Sequence, residues 1–188
     1  MAKRMFIPLG SGFMYYTEYS GEIPDDTTIE TADNRLGYIE GGAEISYKPT
    51  TKTLTDDFGI VSREVITAEE ASLKASMIAW NSKDLPVFVN TARVTEKKSG
   101  DKTIRTIKIG GLQNDSGKIY VFRFVHPDSQ YGDVRVTLIG RSSAEIKLSY
   151  KKDDASNLDL EVAAQSQDDE GTLILYDEDI TGEASASA

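Results

Sequence analysis

Few side chains of this sequence could carry chemistry, and none of them has the partners that catalysis needs. His126 is the only histidine, it lies beside Pro127, and the chain has no cysteine. Nucleophilic catalysis needs a nucleophile with a positioned base, and a zinc site needs several His or Cys ligands. A small β-barrel hydrolase is therefore not supported. The sequence predicts neither a catalytic site, nor a metal site, nor a cofactor.

Two groups of adjacent carboxylates are the remaining candidates for a ligand site. They are Asp56-Asp57 and Asp168-Asp169-Glu170, and both lie in polar stretches. Neither has the ligand spacing of an EF-hand loop, and the glycine pairs at 41–42 and 110–111 lack the neighbours of a phosphate-binding loop. Such groups are typical of solvated loops, so we expect a protein that is not an enzyme.

The charges divide the chain into two unequal parts. The 188 residues carry a formal net charge of −10, with 31 acidic and 21 basic residues. Eleven of the acidic residues, and no Lys or Arg, follow residue 152, so the earlier part is near neutral. This pattern is typical of a solvated face, and it would also repel a passing polyanion. The sequence shows no basic patch that would grip nucleic acid and no apolar run of membrane-helix length.

Strands must position whatever site the chain has, because apolar and polar residues alternate along much of it. The C-terminal third alternates at 134–138, 144–150, 158–163 and 172–176, with polar breaks at 140–143, 151–156 and 165–171. Earlier extended runs lie at 43–48, 60–66, 71–80, 93–95, 104–109 and 118–125, with a polar loop at 50–59 and a turn at 98–101. Sustained alternation favours strand over helix for residues 68–80. These runs predict antiparallel strands with one buried face, packed against a second layer.

One short helix and an irregular N-terminal part complete the predicted organisation. Ser82 or Asp84 would cap a helix over 85–92, with Pro86 in its first turn. The first 35 residues show no regular element, which predicts either a flexible terminus or an arm that crosses onto a neighbouring subunit. The predicted parts are an arm at 1–35, a β-domain at 36–177 and a disordered tail at 178–188.

Three blocks of the sequence together resemble the tail tube (major tail) proteins of tailed bacteriophages and phage-derived tail particles. The blocks are NRLGYIEGGAEISYKP at 34–49, TAEEASLKASMIAW at 67–80 with the short helix after it, and GDVRVTLIG at 132–140 through DEGTL at 169–173. The resemblance rests on the order and spacing of the blocks and covers most of residues 10–177. It implies an antiparallel β-sandwich or barrel with one flanking helix.

The resemblance also implies a function and a set of partners. Subunits of that family form hexameric rings that stack into a hollow tube, through which the tape measure protein and later double-stranded DNA pass. The implied further partners are tail terminator and baseplate hub proteins, and a sheath protein if the tail is contractile, with no membrane. The implied location is the tail of the virion, assembled in the cytoplasm of the host bacterium. Deletion of residues 2–20 is then expected to leave a folded monomer that fails to polymerise.

The resemblance places two hairpins of each subunit on the inner wall of the tube. The candidates that would face the lumen are Glu44, Ser46, Lys48, Glu64, Ser72, Lys74 and Ser76. Because unpaired lysines would retard DNA, we expect Lys48 or Lys74 to have an acidic neighbour. In the N-terminal arm, Phe13, Tyr15 and Tyr16 are the candidates for contacts between subunits. The alternative function is a β-sandwich binding module, such as a baseplate or adhesin-like carbohydrate binder, which would need Tyr15, Tyr16 and Tyr19 as an exposed aromatic cluster.

Overall fold

Nine strands and two short helices make up the computed structural model, which describes residues 10–153 and 155–180. The strands are β1 (Phe13–Glu18), β2 (Arg35–Thr55), β3 (Ser62–Trp80), β4 (Arg93–Ser99), β5 (Lys102–Lys108), β6 (Tyr120–His126), β7 (Val134–Ser142), β8 (Leu158–Gln165) and β9 (Leu175–Glu178). The helices are α1 (Asp26–Ile29) and α2 (Leu85–Phe88). The predicted mainly β, antiparallel class is confirmed.

Seven of the strands form one sheet that closes on itself. Its order is β6-β1-β2-β3-β8-β7-β9, and β6 also pairs with β7, which completes a barrel. The free side of β7 is shared, since Val134–Thr137 pair with β9 and Ile139–Ser142 pair with β8. Closure pairs the strand edges within the barrel, whereas β2 beyond Tyr38 and β3 before Ser72 keep a free edge. Strands β4 and β5 form a separate hairpin beside the barrel.

The alternating residues fill the barrel as the sequence predicts. Leu73 and Met77 of β3, Leu138 of β7, and Leu158 and Leu160 of β8 are all buried in one cluster. Helix α2 packs Leu85, Val87 and Phe88 against the same cluster. Gly140 is required where β7 crosses β8, because a Cβ atom there would lie 2.2 Å from the carbonyl oxygen of Ala163.

The N-terminal part is built into the domain, which corrects the prediction of an arm over 1–35. Residues 13–18 form β1, which pairs with all but the last residue of β6. A second apolar cluster, which joins Tyr15, Val121 and Ile139, lies on the other face of these strands, and Ile29 of α1 covers it. Burial of both faces explains why this segment is ordered in the single chain. Residues 1–9 lie outside the described residues.

Ion pairs hold α1 against the barrel. Arg123 of β6 and Arg135 of β7 are nearly buried, and both pair with Asp26 and Glu30. The Arg135 Nη1 atom also lies 2.7 Å from Asp179 Oδ2. Burial alone would lower the pKa of Arg135, but these carboxylates outweigh it and hold the pKa above its ordinary value. The predicted disordered tail at 178–188 therefore starts inside the folded domain, and its residues 181–188 lie outside the described part.

Four further predictions about elements are corrected by the structure. Helix α2 ends at Phe88 because Val89 is extended, and the capping contact before it comes from Asn81, whose side chain accepts from the Lys83 amide. The predicted loop at 50–59 instead continues β2 to Thr55, and the break at 140–143 continues β7 to Ser142. The alternating run at 144–150 belongs to no strand, because β8 occupies the positions beside both β3 and β7.

Candidate functional site

The predicted lumen residues of β2 and β3 lie on one surface of the barrel, which β8 extends. Cross-strand partners share a face of a sheet, and the register pairs Glu44 with Lys74, Ser46 with Ser72 and Lys48 with Glu70. The polar face, as we call it, consists of Glu40, Glu44, Ser46, Lys48, Glu70, Ser72, Lys74, Ser76, Asp159 and Glu161. The opposite face carries Ala71, Leu73, Ala75 and Met77, all of them buried. The polar face therefore points away from the core of the barrel.

Side-chain contacts tie the three strands of the polar face together. The hydroxyl oxygens of Ser46 and Ser72 lie 2.8 Å apart. Ser76 donates a hydrogen bond of 2.7 Å to Asp159 Oδ1. Lys74 Nζ lies 3.1 Å from Glu161 Oε1, and both side chains are half exposed. Each exposed contact of this kind contributes about 1 kcal/mol at most, so the network orients side chains more than it stabilises the fold.

The polar face is acidic, and the prediction of an acidic neighbour for its lysines is confirmed. Lys74 pairs with Glu161, and Lys48 stands opposite Glu70. The face holds five carboxylates and two lysines, so it carries three more negative than positive charges. Sequence reasoning missed Asp159 and Glu161, because alternation in β8 does not reveal that β8 lies next to β3.

One predicted lumen residue, Glu64, does not belong to this face. The pairing of β2 with β3 shifts between Thr50 and Thr51, where β3 contains one extra residue. Such a bulge reverses the alternation of the strand that carries it. Glu64 stands opposite Thr53 and therefore shares the face of Tyr47. The structure thus separates Glu64 from the other candidates for the lumen.

A second irregularity shapes a groove beside the polar face. Gly41 and Gly42 form an outward bulge between Glu40 and Ala43, with positive φ angles of 78° and 87° that favour glycine. The groove has a volume of about 510 Å³, and the segment that follows β7 closes its far side through Glu145 and Lys147. The carboxylate of Glu145 accepts a hydrogen bond from Lys147 and holds the pKa of that lysine above its ordinary value.

The distal half of the β2–β3 hairpin, residues 49–67, stands clear of the barrel. Partner strands flank only its base, because β1 pairs with β2 no further than Tyr38 and β8 pairs with β3 only from Ser72 onwards. Residues 62–71 of β3, which precede the first residue that pairs with β8, are ten residues of strand and extend by roughly 33 Å. Five of the large apolar side chains of this distal half are exposed, and they are Leu54, Phe58, Ile60, Val61 and Ile66, whereas Val65 is half-buried. This surface has no cover within the described part of the chain.

The residues predicted for contacts between subunits lie in β1, in the wall of the barrel. Tyr15 of β1 is only 6% exposed, and Phe13 packs beside it. The hydroxyl of Tyr16 donates a hydrogen bond of 2.8 Å to Asp84 Oδ1. Burial and this bond raise the pKa of Tyr16 above its ordinary value. Phe13, Tyr15 and Tyr16 are thus structural residues, and Tyr15 cannot form part of an exposed aromatic cluster.

His126 also has a structural position. It ends β6, is buried, and its Nδ1 atom lies 2.8 Å from the carbonyl oxygen of Ser11. Among residues 10–153 and 155–180, no group of three His, Asp or Glu side chains is arranged to hold a metal ion. Within the same residues, no helix has the length and apolar character needed to cross a membrane.

Comparison with models of known protein families gives no match, and a search of curated proteins gives none either.

Proposed function

We propose that this chain is a structural subunit of a phage-type tail tube, in which six copies close into a ring and rings stack into a hollow conduit for DNA. The observation that carries the proposal is the distal half of the β2–β3 hairpin. It exposes five large apolar side chains and pairs only with itself. Isolated two-stranded ribbons are marginally stable in water, so this one needs partners of its own kind.

The free strand edges support side-by-side association. The outer edge of β2 from Ile39 and that of β3 up to Ala71 have no hydrogen-bonded neighbour among the described strands. Such edges template pairing with other chains, and a closed ring of identical subunits satisfies them without leaving an open end. The segment at 144–150 adds a further strand-like run without a sheet partner, on which Tyr150 is exposed.

The charge of the polar face suits the inner wall of such a conduit. It bears Glu40, Glu44, Glu70, Asp159 and Glu161 against Lys48 and Lys74. A net negative wall repels phosphates, which favours passage of DNA over binding. We assign the tape measure protein to the same channel before DNA enters it.

The proposal is tested by the assembly state of the purified full-length chain. We expect rings or tubes in negative-stain micrographs and a mass of six subunits or more by light scattering, without any added cofactor. A chain that stays monomeric at high protein concentration would contradict the proposal.

A second experiment tests the assignment of the polar face. Glu44→Lys with Glu161→Lys is expected to leave tube assembly intact and to slow DNA ejection from the assembled particle, because the wall would then attract phosphate. Glu22→Lys with Asp33→Lys is the matched control, since both residues are exposed and lie outside the polar face. Equal ejection rates for the two variants would remove the assignment.

The alternative of a carbohydrate-binding module has no comparable support. It depends on an exposed cluster of Tyr15, Tyr16 and Tyr19. Tyr15 is buried, and the hydroxyl of Tyr19 donates to the carbonyl of Gly21.

A further inference from the structure

Strand pairing gathers basic residues that are scattered in the sequence onto one face of the β4–β5 hairpin. The register pairs Arg93 with Lys108, Lys97 with Ile104 and Ser99 with Lys102. This basic face, defined by Arg93, Lys97, Lys102 and Lys108, contains no carboxylate. The order of residues in the sequence does not reveal this face, because it depends on the pairing of the two strands.

The basic face is exposed, and the one hydrogen bond described for its cations runs from Arg93 to the carbonyl oxygen of Gly110 at 3.4 Å. The other face of the hairpin is engaged. On the engaged face Arg105 pairs with Glu96 at 2.8 Å and donates to the side chains of Asn81 and Ser82. Ile107 on that face packs against the core. All residues of the basic face are exposed, and none of its four cations forms an ion pair with any residue in the described ranges. Ile104, at the centre of the basic face, is 53% exposed.

An acidic surface of opposite charge lies beside Thr137 of strand β7. The acidic loop, as we call it, consists of Asp168, Asp169 and Glu170, all exposed, and Glu69 of β3 lines the same groove as Glu170. Gln167 fixes this loop to β7 through a hydrogen bond of 3.2 Å from its Nε2 atom to the carbonyl of Thr137.

The two charged surfaces are attached to β7 too far apart to neutralise each other there within one chain. Asn90, just before the β4–β5 hairpin, donates to the carbonyl of Ser142 at 3.1 Å, so the hairpin begins near the C-terminal end of β7. Five residues of strand separate Ser142 from Thr137, which is about 17 Å. Physiological salt screens charges over about 8 Å. Two opposite charges at this separation on one chain are available to pair between copies.

We propose that the basic face of the β4–β5 hairpin docks on the acidic loop of a second copy of this chain. The contact that we propose is head-to-tail, so each pair leaves one basic face and one acidic loop free to bind the next copies. Such a contact propagates into rings or filaments, whereas a two-fold contact stops at a dimer. Ile104 would supply the apolar centre of the contact, and the surrounding cations would select the acidic partner. The inference rests on the proposed function in one respect, because the contact would join subunits of the tube.

Charge reversal of each surface tests the contact with the full-length chain. Lys97→Glu with Lys102→Glu, or Asp169→Lys with Glu170→Lys, should each raise the critical concentration of assembly at least about tenfold. An equimolar mixture of the two variants should assemble better than either alone. The matched control is Lys83→Glu with Lys98→Glu, which makes the same change in net charge outside the basic face and should assemble like the wild type.

The outcomes separate this contact from the tube itself. If the wild type forms tubes and both charge-reversal variants assemble at the same critical concentration, the contact is overturned and the tube proposal stands. Salt-sensitive association that the mixture restores, without rings or tubes in micrographs, would support the contact and refute the tube. Fluorescence anisotropy with a 30-base-pair DNA duplex tests whether the basic face binds nucleic acid. Duplex binding that Lys97→Glu with Lys102→Glu abolishes, while assembly stays unchanged, would overturn the proposal in favour of a nucleic-acid site.

Discussion

Removal of apolar side chains from the tip of the distal hairpin should separate assembly from folding. Phe58 is 86% exposed and Ile60 is 82% exposed in the single chain. Phe58→Ser with Ile60→Ser therefore removes almost nothing from the monomer core, and we expect its free energy of unfolding to change by less than about 0.5 kcal/mol. In a tube that buries both side chains, the same change removes the full gain of burying them.

The expected loss follows from the burial of two large side chains. Full burial of a Phe or Ile side chain contributes about 1.5–3 kcal/mol, so the double variant loses about 3–6 kcal/mol for each subunit added. Each 1.4 kcal/mol corresponds to a factor of ten in an equilibrium constant. The critical concentration should therefore rise about 10²–10⁴-fold.

Sedimentation of polymer over a dilution series measures this critical concentration, and chemical denaturation of the dilute monomer measures its stability. Leu112→Ser is the matched control, because Leu112 is 95% exposed but lies outside the β2–β3 hairpin. An unchanged critical concentration for Phe58→Ser with Ile60→Ser would refute the reasoning. A large loss of monomer stability would also refute it, since it would show that the tip already packs within one chain.

Three further predictions concern the barrel. Leu73→Ala, at a fully buried position, should lower the free energy of unfolding by about 2–5 kcal/mol in urea titrations, and the partly exposed Ile78→Ala on the same strand should cost clearly less. Deletion of residues 2–20 removes β1, so the truncated chain should lose its strand signal in circular dichroism. A truncated chain that still folds as a monomer would support the original prediction that residues 1–35 form an arm outside the domain. Hydrogen bonds from Thr172 and from nearby backbone amides hold the pKa of Asp168 below its ordinary value of 3.8. A carboxyl group whose pKa is lowered in the folded state contributes stability above pH 4, and this stability is lost as the pH falls through the folded-state pKa. Asp168→Asn should therefore reduce the urea midpoint at pH 6 more than at pH 2.5. A reduction of the midpoint that is independent of pH would contradict this prediction.

Local patterns in the sequence identified most of the strands. Alternation placed β3 correctly against the helical propensity of its Ala, Glu and Lys residues, because a side-chain period of two puts Leu73 and Met77 on one face. The turn at 98–101 and the position of α2 were also predicted, because glycine and proline act on the backbone of their own neighbours. These are properties that a short window of sequence contains.

Which faces and strands come together was decided only by the tertiary structure. Residues 144–150 alternate as clearly as β8 does, yet β8 takes the place beside β3, and only one strand can occupy it. A single extra residue in β3 moves Glu64 to the opposite face from Lys74. The basic face of β4–β5 and the acidic partners of Lys74 exist only because distant residues are paired in one register. Periodicity is a local property, whereas pairing, bulges and barrel closure depend on how the whole chain buries its apolar surface.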